Sequence, residues 1–154
     1  MNQLPTITPT HPLYGQRLLG IDFGEKVTGL ALFCPGIDPL IQPFGRCLGT
    51  WKEMLSQIQA VVEQESIGLV ILGLPLLPDG QEGSQAQQVR RFAQAVEAII
   101  SCPLILSDET LTTAEAKHRM EQSPRYNFKV AWQELDAWSA AIILEDFVRQ
   151  YPTT

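Results

Sequence analysis

A chain of 154 residues, 45% apolar and 18% charged, fits one globular domain that buries about two-thirds of the surface its unfolded form exposes. No apolar run approaches the roughly 20 residues of a membrane-spanning helix, and a formal charge of −6 argues against a generic electrostatic grip on nucleic acid, though not against a local basic patch beside an acidic site. Cys34, Cys47 and Cys102 are widely spaced, with no C-x-x-C pair and no His close by, which fits free thiols in a reducing compartment. Residues 1–16 hold three prolines, no positive charge and no long apolar stretch, so they resemble neither a secretory signal nor a transit peptide. They read as a disordered tail, with incidental His11 in it, ahead of a single domain over residues 17–151 in a cytoplasmic protein.

The segment RLLGIDFGEKVTGLAL, residues 17–32, predicts two strands joined by a turn at residues 23–26. Residues 34–39 hold Pro, Gly, Asp and Pro and form a turn. Residues 41–46 then offer a third strand, and Pro43 suits an edge position because proline cannot donate to a ladder. From Thr50 the apolar residues Trp51, Met54, Leu55, Ile58, Val61 and Val62 recur at helical spacing, and this helix ends near residues 66–68. The continuous apolar run of residues 69–72 is a strand covered on both faces, followed by a loop over residues 73–83.

Ser84 can cap a second helix with Ala86, Val89, Phe92, Ala93, Val96, Ile99 and Ile100 on one stripe. Residues 103–107 form another short strand, delivering Asp108 and Glu109 at its C-terminal end, where open α/β sheets place their ligands. Thr112 and Glu115 have capping-box spacing and open a short helix through about Met120, broken by a loop over residues 121–128. A long, mostly apolar helix runs from Val130 to about Gln150. Three strands that pair by hairpins, followed by β-α-β-α units, imply a mixed five-stranded sheet flanked by helices, an arrangement that resembles the ribonuclease H-like fold.

Two carboxylates are out of place in this pattern. Asp22 ends an apolar strand, where an unpaired buried charge is costly, and Gly20, Gly24 and Gly29 leave the backbone around it bare, as where a ligand or another backbone comes close. Asp136 heads the apolar stripe of Ala140, Ile143 and Phe147. Each acid also has a plain structural reading: a turn former for Asp22, a surface turn or cap for Glu109, and a first-turn acid favoured by the helix dipole for Asp136. In the proposed topology Asp22, Asp108, Glu109 and Asp136 gather at one end of the sheet, where their mutual repulsion calls for a cation. Oxygen ligands without Cys or His favour Mg²⁺, then Mn²⁺. Two ions about 4 Å apart would serve phosphodiester hydrolysis.

Four blocks in order, GIDFGEKVTGLA, VILGLPLLPDGQEG, LSDETLTTAEA and DAWSAAIIL, resemble the YqgF-type family of Holliday junction resolvases, also described as nucleases that trim the precursor of small-subunit ribosomal RNA. The resemblance spans residues 18–151. It implies a ribonuclease H-like fold, catalytic acids at Asp22, Glu109 and Asp136 with Asp108 beside them, and Thr112 and Thr113 shaping the adjoining loop. The family's K-R-I-G appears here as Lys26-Val27-Thr28-Gly29, and its D-E-R-L-T-T as Asp108-Glu109-Thr110-Leu111-Thr112-Thr113. Both changes delete an arginine, and with it a bidentate grip on phosphate. Leu77 stands where the family carries Asn.

Lys117, His118, Arg119, Arg125 and Lys129 crowd into thirteen residues with Tyr126 and Phe128 among them. They read either as a backbone-tracking, base-stacking segment, joined by Lys26, or as a solvated helix face. The function expected is a Mg²⁺- or Mn²⁺-dependent nuclease with two ions, acting on precursor 16S rRNA at its 5′ end. The alternatives are a Holliday junction resolvase on branched DNA and a weakly catalytic module that binds nucleic acid or ribosomal particles. A monomer or weak homodimer with no membrane association is expected. GIDFG also resembles the first phosphate loop of actin-like kinases, but the chain has no second such loop.

Overall fold

The computed structural model describes residues 4–109, 118, 120–122 and 134–151. The strands are β1 (Leu18–Asp22), β2 (Val27–Phe33), β3 (Gln42–Leu48), β4 (Leu69–Pro75) and β5 (Leu104–Glu109), and the helices are α1 (Trp51–Gln64), α2 (Ser84–Glu97) and α3 (Leu135–Gln150). One five-stranded sheet has the order β3-β2-β1-β4-β5. β1 pairs antiparallel with β2 and β2 antiparallel with β3, whereas β1 with β4 and β4 with β5 are parallel. This is the mixed sheet and ribonuclease H-like arrangement expected.

Side chains alternate along each strand, so the sheet sorts its apolar residues into two cores. Leu19, Ile21, Leu30, Val70, Leu72 and Leu74 face α1 and α2. Leu18, Ala31 and Ile71 face α3, with Ala140, Ile143, Leu144 and Phe147 across from them. Close approach of α3 is possible because β1 carries Gly20, where a Cβ would lie 2.5 Å from Leu144 Cγ and 2.8 Å from the Ala140 carbonyl oxygen. Helix α1 starts in a reciprocal capping box: Thr50 Oγ1 accepts from the Glu53 amide, and the Glu53 carboxylate accepts from the Thr50 amide.

Several boundaries differ from the sequence reading. β4 runs to Pro75, three residues beyond the apolar run, because β5 extends alongside it and pairs Pro75 with Glu109. The Leu76 amide donates to Glu109, so the proline's missing N–H would point toward β1, which has already ended. β3 continues through Leu48. Gly83, not Ser84, is the N-cap of α2, and no side chain caps that end. Residues 120–122 are helical, so the break expected from residue 121 begins no earlier than 123.

The capping box at Thr112 and Glu115, the rest of that loop and the first turn expected from Val130 lie outside the described residues. The N-terminal stretch, expected as a free tail, is packed from residue 4 onward. Leu13 is 2% exposed, Leu4 and Ile7 join the core under α3, and buried His11 accepts the Leu13 amide at Nδ1 while its ring meets Tyr151. No helix among the described residues is long and apolar enough to cross a membrane.

Candidate active site

The end of β1 is where the two cores and α3 meet. Asp22 follows Leu18 and Gly20 on the α3 face, and the next residue, Phe23, turns to the opposite face. There its ring stacks on Phe92 at 4.2 Å and meets Trp51 edge-on at 5.6 Å. The following turn is pinned by buried Thr28, whose hydroxyl donates to the Gly24 carbonyl and also lies 3.2 Å from Met54 Sδ. Asp22 is therefore held by the aromatic cluster behind it and the closed turn after it.

Two glycines beside Asp22 admit its acidic neighbours. Gly29 is the cross-strand partner of Asp22 on β2, and a Cβ there would fall 1.9 Å from the Asp136 carbonyl oxygen and 2.9 Å from the Ala137 nitrogen. The first turn of α3 thus rests on bare backbone, which brings Asp136 over Gly29 and beside Asp22. Gly73 on β4 follows Leu72, the partner of Ile21, and a Cβ there would meet Ile143 Cδ1 at 2.5 Å and Glu109 Cγ at 3.5 Å. Glu109 accordingly lies on the same face, 8% exposed, beneath α3.

Asp108 does not join them. Adjacent strand residues point to opposite faces, and Leu104 and Leu106, four and two residues earlier, pack with the α1 and α2 core. Asp108 is exposed on that side, where its charge acts on Arg90 of α2. Of the expected acids, the fold brings Asp22, Glu109 and Asp136 to one face and sends Asp108 to the other. Lys26 is exposed in the turn after β1, and His118 is helical and exposed. Lys117, Arg119, Arg125, Lys129, Thr112 and Thr113 lie outside the described residues.

The electrostatics follow from this geometry. Burial, and then the negative charge of Asp136, push the Asp22 carboxyl from its ordinary 3.8 up to about 7. Burial also raises Asp136, opposed by the positive charge of Arg46 on β3. Two carboxylates that resist ionisation side by side suit either a shared proton or a cation. All-oxygen donors select a hard divalent cation such as Mg²⁺ or Mn²⁺, so the pair fits the expected metal. Among the described residues no group of three or more His, Cys, Asp or Glu is close enough to hold an ion, so Glu109 shares the face of the pair without completing a cage.

Sequence reasoning overlooked two contributors. Gly73, a loop residue by local sequence, is the bare position that admits Glu109, and Arg46 stands in the sequence only as the end of an edge strand. Comparison with known proteins agrees with the architecture. A family model described as Holliday junction resolvase matches residues 16–150. A protein of Syntrophus aciditrophicus named "Putative pre-16S rRNA nuclease" is 35% identical over 86% of this chain and 87% of its own. One of the same name from Maridesulfovibrio salexigens is 33% identical over 86% and 97%.

Two solved structures share the fold. The T. thermophilus RuvC structure with a Holliday junction substrate has a TM-score of 0.55 at 12% identity, covering 83% of this chain and 91% of that one. The fowlpox virus resolvase with junction DNA has a TM-score of 0.54 at 12% identity, covering 86% and 97%. The residues matched by the family model carry every strand and helix described above, and the chain therefore belongs to the RuvX family of Holliday junction resolvases.

Proposed function

We propose that this protein is a divalent-metal-dependent nuclease that hydrolyses phosphodiester bonds in structured nucleic acid, with the 5′ end of precursor 16S rRNA as its substrate. The observation that carries the reading is the meeting of Asp22 and Asp136 over Gly29, with Glu109 on the same face beside Gly73. In this reading Asp22 and Asp136 hold Mg²⁺ or Mn²⁺, and Glu109 supplies the third carboxylate. Bound there, one or two such ions would supply an activated water and neutralise the leaving oxygen.

The chain's own contribution is positional. Phe23, clamped by Trp51 and Phe92, fixes Asp22 from behind. The bare backbone of Gly29 lets the first turn of α3 set Asp136 against it. Until a cation binds, Asp22 holds a proton at neutral pH more readily than an ordinary carboxyl. Lys26, with Lys117, Arg119, Arg125 and Lys129, contacts the nucleic-acid backbone. The protein works on ribosomal precursor particles in the cytoplasm, as a monomer or weak homodimer.

A second reading, Holliday junction resolvase, is favoured by the description of the matching family. It requires two active sites acting symmetrically, hence a dimer. The test is a cleavage panel of labelled precursor 16S rRNA, single strands and four-way DNA junctions with Mg²⁺, Mn²⁺ or EDTA. The expected result is metal-dependent cutting of the precursor by wild type and none by folded Asp22→Asn. Junction cutting by a dimer, with the precursor left intact, would transfer the assignment to the second reading. Undiminished activity of Asp22→Asn, or of wild type in EDTA, would overturn both.

A further inference from the structure

β3 places an arginine in the row of the acids. Asp22 on β1 pairs with Gly29 on β2, and Gly29 pairs with Arg46 on β3. Residues directly opposite in an antiparallel ladder project to the same face, so Asp22 and Arg46 flank Gly29 on the side covered by α3. At about 4.8 Å per strand their backbones are about 10 Å apart. The bare position between them is where the first turn of α3 rests, which puts the Asp136 backbone over Gly29, between the two strand positions.

Arg46 is exposed, and its guanidinium makes no hydrogen bond or ion pair within 4 Å among the described residues. The ladder shifts register between Gly29 and Ala31, and Gly45 has a φ of +96°, so the edge strand bulges immediately before Arg46. Bulges at sheet edges commonly re-aim the side chain that follows.

We propose that Arg46 is a substrate-contacting residue of this site, gripping a non-bridging phosphate oxygen of the nucleic-acid backbone next to the bond that is cut. The proposal rests on the nuclease reading above. The planar fork of a guanidinium binds two phosphate oxygens at once, and at this position it also screens the acids from the approaching polyanion. An edge strand leaves it accessible to a long substrate lying across the end of the sheet.

The test uses the full chain and measures binding separately from chemistry. Fluorescence anisotropy of a labelled RNA hairpin and a labelled four-way DNA junction is titrated with wild type, Arg46→Gln and Arg46→Lys at 50 to 300 mM KCl in Ca²⁺, and cleavage is followed in Mg²⁺. Circular dichroism checks that each variant folds. Arg46→Gln is expected to weaken binding about tenfold at the lowest salt, as loss of one charged hydrogen-bonding contact does. It should also flatten the slope of log K against log salt by about 0.7 to 0.9.

Arg46→Lys should keep the slope and recover part of the affinity. In cleavage the deficit of Arg46→Gln should appear mainly in KM. A folded Arg46→Gln with wild-type affinity and slope would overturn the assignment and leave the nuclease reading standing. Salt-sensitive loss of binding in a protein that never cuts would support the phosphate contact and sink the nuclease reading. A wild type that binds neither probe would overturn both.

Discussion

Replacing Asp22 with Asn should stabilise the metal-free protein at alkaline pH. In the unfolded chain this carboxyl titrates near 3.8, whereas in the folded protein burial and the facing charge of Asp136 hold it protonated up to about 7. The folded state therefore binds the proton more tightly, and its stability falls as pH rises from about 4 to 7, then stays at the lower level. The difference of about three pH units, at about 1.4 kcal/mol each, sets the cost of ionising Asp22 above pH 7 at about 4 kcal/mol as an upper value.

Asn occupies the same volume without the charge and removes that cost. For a domain of this size each kcal/mol corresponds to about 2–4 °C, so Asp22→Asn in EDTA at pH 8 should melt several degrees, and at most about 15 °C, above wild type. The two should converge near pH 4. Mg²⁺ should raise the wild-type melting temperature at pH 8 and leave that of Asp22→Asn nearly unchanged, because the ion binds the folded pair. The assay is Trp fluorescence melting from pH 4 to 9 with EDTA or Mg²⁺. Equal melting temperatures for both proteins at pH 8 in EDTA would mean that ionising Asp22 costs the fold nothing.

Other substitutions separate the parts of the site. Gly29→Ala puts a methyl 1.9 Å from the Asp136 carbonyl oxygen, which is backbone and cannot yield cheaply, so it should cost about 1–3 kcal/mol in denaturant unfolding and abolish metal-dependent cutting as α3 is displaced. Asp108→Asn, on the far face of the sheet, should retain wild-type cutting, while Glu109→Gln on the α3 face should lose it; the reverse result would place the acids wrongly. Thr50→Ala breaks the capping box of α1 and should cost about 1 kcal/mol in denaturant unfolding with no change in activity, because the helix terminus it touches packs on the face of the sheet opposite the acids.

Much of this architecture is written in short-range pattern. β1, β2 and α1 follow from short apolar and β-branched runs, turn residues and helical spacing, and the parallel strands from continuous apolar runs. The errors arise where pairing overrides local chemistry. Gly73 and Pro75 look like loop punctuation, yet they extend a strand because β5 continues beside them and β1 has stopped. The same extension decides between Asp108 and Glu109: read as a loop both could face the site, but as a strand only one can. Arg46 enters the site through the registers of two strand pairs, which no local window reveals.

The N-terminal segment misled for a different reason. Its apolar residues, Leu4, Ile7 and Leu13, are too scattered to form a periodic signal, although each reaches the core beneath α3. Asp22 and Asp136 were legible as anomalies because a carboxylate in an apolar pattern demands a partner, and the glycines around Asp22 showed where that partner would approach.

The most direct measurement is the anomalous difference map of a crystal soaked in Mn²⁺. A Mn²⁺ peak is expected within coordination distance of both the Asp22 and Asp136 carboxylates, absent from crystals of Asp22→Asn. A well-ordered site with no peak there, or Mn²⁺ bound only elsewhere on the molecule, would contradict it.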